Sequence, residues 1–147
     1  MITGFLLHRR PYRETSSLLS FFSDQYGRMD VVARASRGSA KKNRSPLLQF
    51  SPYDLQLSGK GELRHLVHCE TTGPAYSLQG QSLYCGLYIN ELLYRLLPKH
   101  ECEPVLFQAY IAAMHQLVDG TDLEPCLRVF ELALLDAIGY GLSLQHD

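Results

Sequence analysis

The sequence predicts a small β-barrel followed by an all-helical domain, and three features of the chain lead to that fold class. The first half contains short apolar runs separated by turn residues, a pattern typical of strands. From position 77 onward, apolar residues recur every three or four positions, which is typical of helices. Between the two patterns lies the turn-forming stretch 71–74, Thr-Thr-Gly-Pro. We therefore expect a first domain at 1–74 and a second at 75–147.

Turn residues separate the expected strands of the first domain. Residues 25–28 form a turn after the second strand, and 59–61, Gly-Lys-Gly, form a tight turn after the fourth. Pro52 indicates a bulge or bend in the fourth strand because proline cannot donate to a ladder. Five short strands connected in this way fit a small closed barrel of the OB type. The expected strands cover 4–8, 16–22, 29–33, 47–57 and 62–72.

A polar segment separates the third and fourth strands. Residues 35–46 combine Gly, Ser and Pro with four cations and contain no large apolar side chain. Such a composition predicts an exposed, mobile loop.

Three helices are expected in the second domain. Residues 83–97 are apolar on nearly every face, which indicates a buried central helix that the next proline ends. The second helix begins near Pro104 and ends at Gly120. The third covers about 124–138, with Gly139 as the residue that follows its end.

Composition narrows the class of protein. An apolar content of 46% is enough for a buried core, and charged residues interrupt the longest apolar stretch, so we expect neither a membrane span nor a signal peptide. The cysteines are widely spaced without a C-x-x-C pair, which favours reduced thiols and a cytoplasmic protein. The four are Cys69, Cys85, Cys102 and Cys126.

The net charge of −1 conceals two halves of opposite sign. Residues 1–69 carry eleven Lys and Arg against five Asp and Glu, a net charge of +6. Residues 70–147 carry three against ten, a net charge of −7. This asymmetry favours an anion-binding half joined to a half with another role, although electrostatic attraction between the two domains is the alternative.

Cations and aromatic residues alternate in the barrel half, as binding of single-stranded nucleic acid requires. Cations along a groove neutralise phosphates, and exposed rings stack on bases. For any single residue the alternative is a solvated surface charge, or a tyrosine packed in the core. The candidate DNA-binding residues are Arg9, Arg10, Tyr12, Arg13, Arg28, Arg34, Arg37, Lys41, Lys42 and Arg44.

Catalytic motifs are not found, so we expect neither an enzyme nor a cofactor. The chain has no phosphate-binding glycine loop, no nucleophile elbow and no H-E-x-x-H motif. His65, His68 and Cys69 are the nearest approach to a metal cluster, but strand alternation should place the two histidines on opposite faces with Cys69 on the side of His65. A nuclease would need paired carboxylates for metal, and the barrel half shows no such motif. Its five acids are Glu14, Asp24, Asp30, Asp54 and Glu62.

Arg128 is one of the three cations in the acidic half. It lies four residues after Glu124 and three before Glu131, so an ion pair on a helix surface is the simplest interpretation. An arginine beside an apolar groove can also hold the carboxylate of an acidic, apolar-ended peptide tail. The sequence leaves both possibilities open.

Several segments together resemble the RecO family of bacterial recombination mediators, over the whole chain. The two helical segments are the more specific ones. The segments are Leu6-Leu7 through Arg10, Tyr12 and Glu14; Gly27-Arg28; Ala33-Arg34-Ala35 with Arg37-Gly38; Leu83-Tyr84-x-Gly86-Leu87-Tyr88-Ile89-Asn90-Glu91-Leu92-Leu93; and Arg128-x-Phe130-Glu131-Leu132-x-Leu134-Leu135 before Gly139-Tyr140.

The resemblance implies an N-terminal OB-fold and a C-terminal helical domain that act without nucleotide hydrolysis. It further implies binding of single- and double-stranded DNA, annealing of complementary strands, and replacement of single-strand-binding protein (SSB) by RecA in recombinational repair, with RecR and in some pathways RecF as partners. By position, Arg128 matches the family arginine that holds the C-terminal tail of SSB, and the basic residues of the barrel match the DNA-binding face.

Two features depart from the resemblance. Val129 stands where relatives often have a second basic residue, which weakens the expectation of tail binding. Relatives normally continue past Asp147, some with a cysteine zinc site, so a truncated helical domain is expected. The alternative function is a generic OB-fold adaptor whose main partner is a protein rather than DNA.

Overall fold

A closed five-stranded barrel is followed by three helices in the computed structural model, which describes residues 1–34 and 47–146, with side chains to 139. This architecture confirms the predicted fold class. The expected loop at 35–46 lies outside the described residues. The elements are β1 (Ile2–Tyr12), β2 (Ser16–Ser23), β3 (Gly27–Arg34), β4 (Tyr53–Ser58), β5 (Arg64–Thr71), α1 (Gln81–Leu96), α2 (Pro104–Asp119) and α3 (Leu123–His146).

The barrel has the strand order β1-β2-β3-β5-β4, and β4 pairs with β1 to close it. β3 and β5 are parallel, whereas the other neighbouring strands are antiparallel. Apolar side chains such as Phe21, Val31 and Leu55 fill the interior. The closure covers a short stretch, because only residues 2–4 of β1 pair with β4.

A β-bulge in β1 changes which residues face outward. The pairing of β1 with β2 shifts between Leu6 and His8, so Phe5 before the bulge and His8 after it oppose β2 residues two positions apart. Residues directly opposite each other in a sheet share a face, and alternate residues of a strand do so too. The bulge therefore puts His8, Arg10 and Tyr12 on the same outer face as Phe5.

The helices cover the part of this outer face that precedes the bulge and reach His8 after it, whose ring stacks on that of Tyr94 with centroids 4.1 Å apart. Phe5 and Phe22 are fully buried there against α2, with ring centroids 4.9 Å apart for Phe5 and Tyr110 and 5.3 Å apart for Phe22 and Phe107. Burial of each aromatic ring contributes roughly 1.5–3 kcal/mol. Because one buried cluster contains side chains from both sides of residue 74, the division into two domains stays a prediction.

The α1–α2 connection is fixed to β3 by backbone contacts. The Arg28 carbonyl accepts a hydrogen bond from the His100 backbone N–H at 2.8 Å, and the Arg28 Nε donates to the Leu97 carbonyl at 2.8 Å. Gly27 has a positive φ of 64°, and a Cβ there would lie 1.9 Å from the Glu101 carbonyl oxygen. Only glycine permits this approach.

A buried carboxylate completes this connection. Asp30 is 8% exposed, accepts a hydrogen bond from the Ser20 hydroxyl at 2.5 Å, and pairs with Lys99 Nζ at 2.8 Å. Burial alone would raise the pKa of Asp30, but the hydrogen bonds from Lys99 and Ser20, with the charges of Lys99 and Arg28, outweigh it and lower the pKa. The carboxylate is therefore held ionised between the barrel and the helices.

The fourth strand is shorter than expected, and the prediction for Pro52 was wrong. β4 begins only at Tyr53, and Pro52 precedes it rather than interrupting it. Phe50 has a φ of 69°, a left-handed conformation that turns the chain before the strand begins. The bulge of this region lies instead in β5, where Val67 is the extra residue opposite the step from Gln56 to Leu57.

The sequence predicted the C-terminal ends of α1 and α2 correctly, but not that of α3. α1 ends before the proline at 98, and α2 ends at Gly120, whose φ of 77° is the expected left-handed cap. The predicted end of α3 at Ile138 is wrong, because the helix continues through Gly139 to His146. A glycine inside a helix destabilises it by only about 1 kcal/mol, which the rest of a long helix offsets.

Full burial of α1 was also a wrong expectation. Its buried face contains Ile89 and Leu93, but Tyr84 and Leu96 on the other side are exposed. This helix therefore has apolar residues on both faces, but only one of the faces is packed against the rest of the protein. Within the described residues, no helix is both long and apolar enough to cross a membrane.

Candidate functional site

The outer face of the barrel carries cations at the end of β1 that the helices leave open. Tyr12 opposes Ser16, which in turn opposes Arg34, so Tyr12 and Arg34 flank one residue on the same face. Arg10 precedes Tyr12 by two positions and shares that face. The register thus assembles cations and a ring from two strands that are more than twenty residues apart in sequence. We define the barrel rim as Arg9, Arg10, Tyr12, Arg13 and Arg34.

Two further arginines border this face. Arg13 lies in the β1–β2 turn with a φ of 56°, and its guanidinium carbon is 5.2 Å from the centroid of the Tyr12 ring. Arg9 opposes the interior residue Leu19, and its guanidinium donates to the Leu47 carbonyl at 2.5 Å. The rim therefore combines an outer face with the mouth of the barrel.

The four rim arginines are exposed, and none forms an ion pair with any side chain in the part of the chain that the structure describes. Their positive charges are not neutralised by those side chains. They therefore attract anions, and the attraction weakens as the salt concentration rises. Tyr12 is half-buried beside them, which leaves part of one ring accessible.

The predicted loop at 35–46, which we call the basic loop, is attached at this rim. Residue 34 ends β3 within the rim, and Leu47 on the other side of the loop accepts a hydrogen bond from Arg9. The remaining predicted cations, Arg37, Lys41, Lys42 and Arg44, lie between these two points and outside the described residues. Their connection to the rim follows from the chain itself, whereas their role stays a prediction.

Arg28 is the predicted DNA-binding residue that the structure separates from the rim. Its side chain is 12% exposed, bonds to the Leu97 carbonyl and lies 3.8 Å from Asp30. Its guanidinium carbon is also 5.6 Å from the centroid of the Tyr94 ring. Arg28 therefore holds the barrel to the helices, and we leave it out of the proposed interface.

Sequence reasoning left out two cations at the other end of the barrel. Lys60 is exposed in the β4–β5 turn, and the guanidinium carbon of Arg64 lies 5.0 Å from the centroid of the Tyr26 ring. The loop between the fourth and fifth strands contacts oligonucleotides in many OB-folds. The Gly-Lys-Gly sequence predicted the turn correctly, but its lysine was not included among the candidate DNA-binding residues.

His65, His68 and Cys69 do not alternate as expected. His65 opposes Ser58 and His68 opposes Gln56, so both histidines share a face and both are exposed. The bulge in β4–β5 pairing adds one residue between them, which is why simple alternation failed. Cys69 packs toward the barrel core, and burial, with nearby acids, raises its pKa to about 11.

Within the described residues, no group of three His, Cys, Asp or Glu side chains is placed to hold a metal ion.

Arg128 forms the helix-surface ion pair that its spacing suggested. Its Nε lies 2.8 Å from Oε1 of Glu131, and its Nη2 donates to Oε2 of the same carboxylate at 3.5 Å. The Tyr88 hydroxyl on α1 donates to Oε2 as well. This hydrogen bond, with partial burial and the negative charge of Glu131, raises the pKa of Tyr88.

Exposed apolar side chains lie within about one helical turn of this ion pair along α1 and α3. Tyr84 on α1 and Val129, Leu132 and Leu135 on α3 are all exposed. Arg128 itself keeps 57% of its side chain exposed. The surroundings thus fit an arginine beside apolar surface, although the guanidinium is already bonded to Glu131.

Two family models and several known proteins match this chain over nearly its whole length. The family model described as "Recombination protein O N terminal" matches residues 1–75, and "Recombination protein O C terminal" matches 78–147. A protein named "DNA repair protein RecO" from Pseudoalteromonas atlantica is 46% identical over 99% of this chain and 61% of its own length. Its namesakes from Methylococcus capsulatus and Stutzerimonas stutzeri are 48% and 46% identical over 98% of this chain, and 60% and 59% of their own lengths. The chain spans about three fifths of the length of these curated relatives.

Proposed function

The chain belongs to the RecO family of DNA repair proteins, and on that premise we propose that its barrel rim binds the phosphates of single-stranded DNA and promotes annealing. The observation that supports this proposal is the grouping of exposed arginines and Tyr12 at one end of an OB-type barrel, on its outer face and at its mouth. Phosphate contacts of this kind supply most of the affinity of sequence-independent binding. Tyr12 offers a ring on which a base can stack.

Annealing follows from the same charges without a covalent step. Two complementary strands repel each other through their phosphates, and a cationic surface that neutralises both lowers this repulsion. The basic loop, with Arg37, Lys41, Lys42 and Arg44, leaves the rim and can contact the second strand. The proposed mechanism is therefore electrostatic and geometric, and needs neither nucleotide hydrolysis nor a cofactor.

The helical part supplies recruitment in this proposal. Arg128 holds the C-terminal tail of SSB, which brings the barrel to SSB-coated DNA in the nucleoid. Together with RecR, and with RecF in some pathways, the whole protein would then help RecA replace SSB. The support for this step is the exposed apolar surface beside Arg128.

The proposal predicts that DNA binding weakens steeply with salt. Four rim arginines that each neutralise one phosphate give a slope of about −3 for log K against log salt, or roughly a 50-fold loss for a fourfold rise in salt. The measurement is fluorescence anisotropy of a labelled single-stranded oligonucleotide at several salt concentrations. A triple variant, Arg10→Ala, Arg13→Ala and Arg34→Ala, should reduce the slope by about 2.

A second triple variant separates the rim from the loop. Lys41→Ala, Lys42→Ala and Arg44→Ala should also reduce the slope if the loop contacts the same strand. Binding with little salt dependence, unaffected by either triple variant, would contradict the proposal. That result would favour the adaptor whose main partner is a protein.

A further inference from the structure

All three cations between residues 70 and 139 are bonded to carboxylates. Arg95 pairs with Glu91 at 3.3 Å, and Lys99 pairs with Asp30 at 2.8 Å. Arg128 pairs with Glu131 at 2.8 Å. Residues 70–147 carry a net charge of −7. An acidic peptide approaching this part of the protein therefore meets a negative field and cations that already have partners.

The geometry at Arg128 specifies what an incoming carboxylate must do. Glu131 contacts the edge of the guanidinium formed by Nε and Nη2, one of the two edges that bind a carboxylate bidentately. A second carboxylate at the other edge would lie close to Glu131, and like charges on a partly exposed surface repel each other. The incoming group gains the full attraction of Arg128 only if Glu131 leaves.

Tyr88 gives Glu131 another partner when it leaves. The Tyr88 hydroxyl donates from α1 to Oε2 of Glu131, the same oxygen that accepts from Arg128 Nη2. When the arginine no longer shares that oxygen, the hydrogen bond from Tyr88 strengthens, which reduces the free energy needed to displace Glu131. Glu131 thus connects Arg128 on α3 to Tyr88 on α1.

We propose that Glu131 is an intramolecular competitor for Arg128, and that Tyr88 holds the displaced carboxylate when an acidic, apolar-ended peptide binds. This inference rests on the proposed binding of the SSB tail at Arg128. Glu131 thereby sets the affinity of that site and keeps it closed to weakly acidic peptides. The opposite arrangement, in which Glu131 positions Arg128 for the partner, predicts an effect of opposite sign.

The test is the affinity of the full chain for a labelled peptide of the SSB C-terminal tail with a free carboxylate. Glu131→Gln keeps an acceptor for Tyr88 but removes the competing charge, so the affinity should rise about two- to fivefold, as expected for an exposed ion pair. Glu124→Gln is the matched control. It removes the same charge from an exposed position four residues before Arg128. It should change the affinity for the peptide by less than about 1.5-fold.

A second comparison isolates Tyr88. Tyr88→Phe should weaken peptide binding by roughly twofold in the parent chain, because Arg128 then holds Oε2 of Glu131 without a competing donor and the pair becomes harder to break. The same substitution should have no effect in the Glu131→Gln background, where no charge has to be displaced. Equal weakening in both backgrounds would mean that Tyr88 contacts the peptide itself, and would overturn the role assigned to it.

The outcomes distinguish this inference from the proposal on which it rests. If Arg128→Ala, folded by circular dichroism, binds the peptide as tightly as the parent, the tail site itself is wrong. If Arg128→Ala abolishes binding but Glu131→Gln leaves it unchanged or weakens it, only the competition is wrong. An equal gain from Glu124→Gln would also overturn it, because the effect would then be one of net charge.

Discussion

The barrel rim and the helical part use cations in opposite ways. The rim arginines are exposed and form no ion pair within the described residues, whereas Arg95, Lys99 and Arg128 are each bonded to a carboxylate. The same residue types thus leave their charge available in one region and use it for internal contacts in the other. What decides availability for a ligand is the local partner, which neither net charge nor residue counts reveal.

Asp30 and Lys99 provide the strongest test of the internal contacts. Asp30→Ala leaves the half-buried Lys99 and the nearly buried Arg28 without their carboxylate. Removing one partner of a buried pair destabilises by about 3–5 kcal/mol, and since Lys99 is 47% exposed we expect about 2–3 kcal/mol. Urea unfolding measures this loss.

The control for this variant is Glu91→Ala, which removes the exposed partner of Arg95 and should change the free energy of unfolding by less than about 0.5 kcal/mol. Equal losses from the two variants would contradict the distinction between the buried pair and the surface pair.

The pH dependence of stability sharpens the same point. Because the pKa of Asp30 is lower in the folded than in the unfolded state, its contribution is present above its ordinary pKa of about 3.9 and is lost as the pH falls through the lower, folded value. Asp30→Asn should therefore differ most from the parent at neutral pH. The difference in unfolding free energy should shrink below about pH 4. A difference that stays constant from pH 7 to pH 3 would contradict a role for the ionised carboxylate.

The fold could be predicted from the sequence because its signals are local. Strand runs and turn glycines predicted the five strands, and apolar periodicity with Gly120 predicted the three helices. Gly139 misled the prediction because glycine also occurs inside helices, where packing along a long helix offsets its small penalty. The ends of the elements depend on such balances, which a single sequence does not reveal.

The candidate site was less predictable, because bulges decide which side chains share a face. Without the bulge between Leu6 and His8, simple alternation from Phe5 would turn Arg10 and Tyr12 toward the interior of the barrel. The bulge in β5 likewise moved His68 to the face of His65. Arg28 was predicted to bind DNA because nothing local indicates that the distant residues Leu97 and Lys99 pack beside it and Asp30.

The smallest expected effect comes from a pair of single substitutions that remove the same charge. Arg95→Ala breaks an exposed i,i+4 pair on α1 and should lower the free energy of unfolding by about 0.3–0.5 kcal/mol. Its affinity for single-stranded DNA should remain within about twofold of the parent, since Arg95 is not part of the rim. Arg10→Ala should leave stability unchanged but reduce DNA affinity by about three- to tenfold at low salt.

The two variants change net charge identically, so they separate position from charge. If a general attraction between the protein and DNA controlled binding, both variants would weaken it equally, and the weakening would diminish as the ionic strength rises. If the rim binds phosphates directly, only Arg10→Ala should reduce the salt slope, by about 0.7. Anisotropy at three salt concentrations, with urea unfolding of both variants, measures the two quantities. An equal reduction of the slope by Arg95→Ala would mean that the pairing with Glu91 does not withhold this charge from DNA, and the contrast between the two regions would fail.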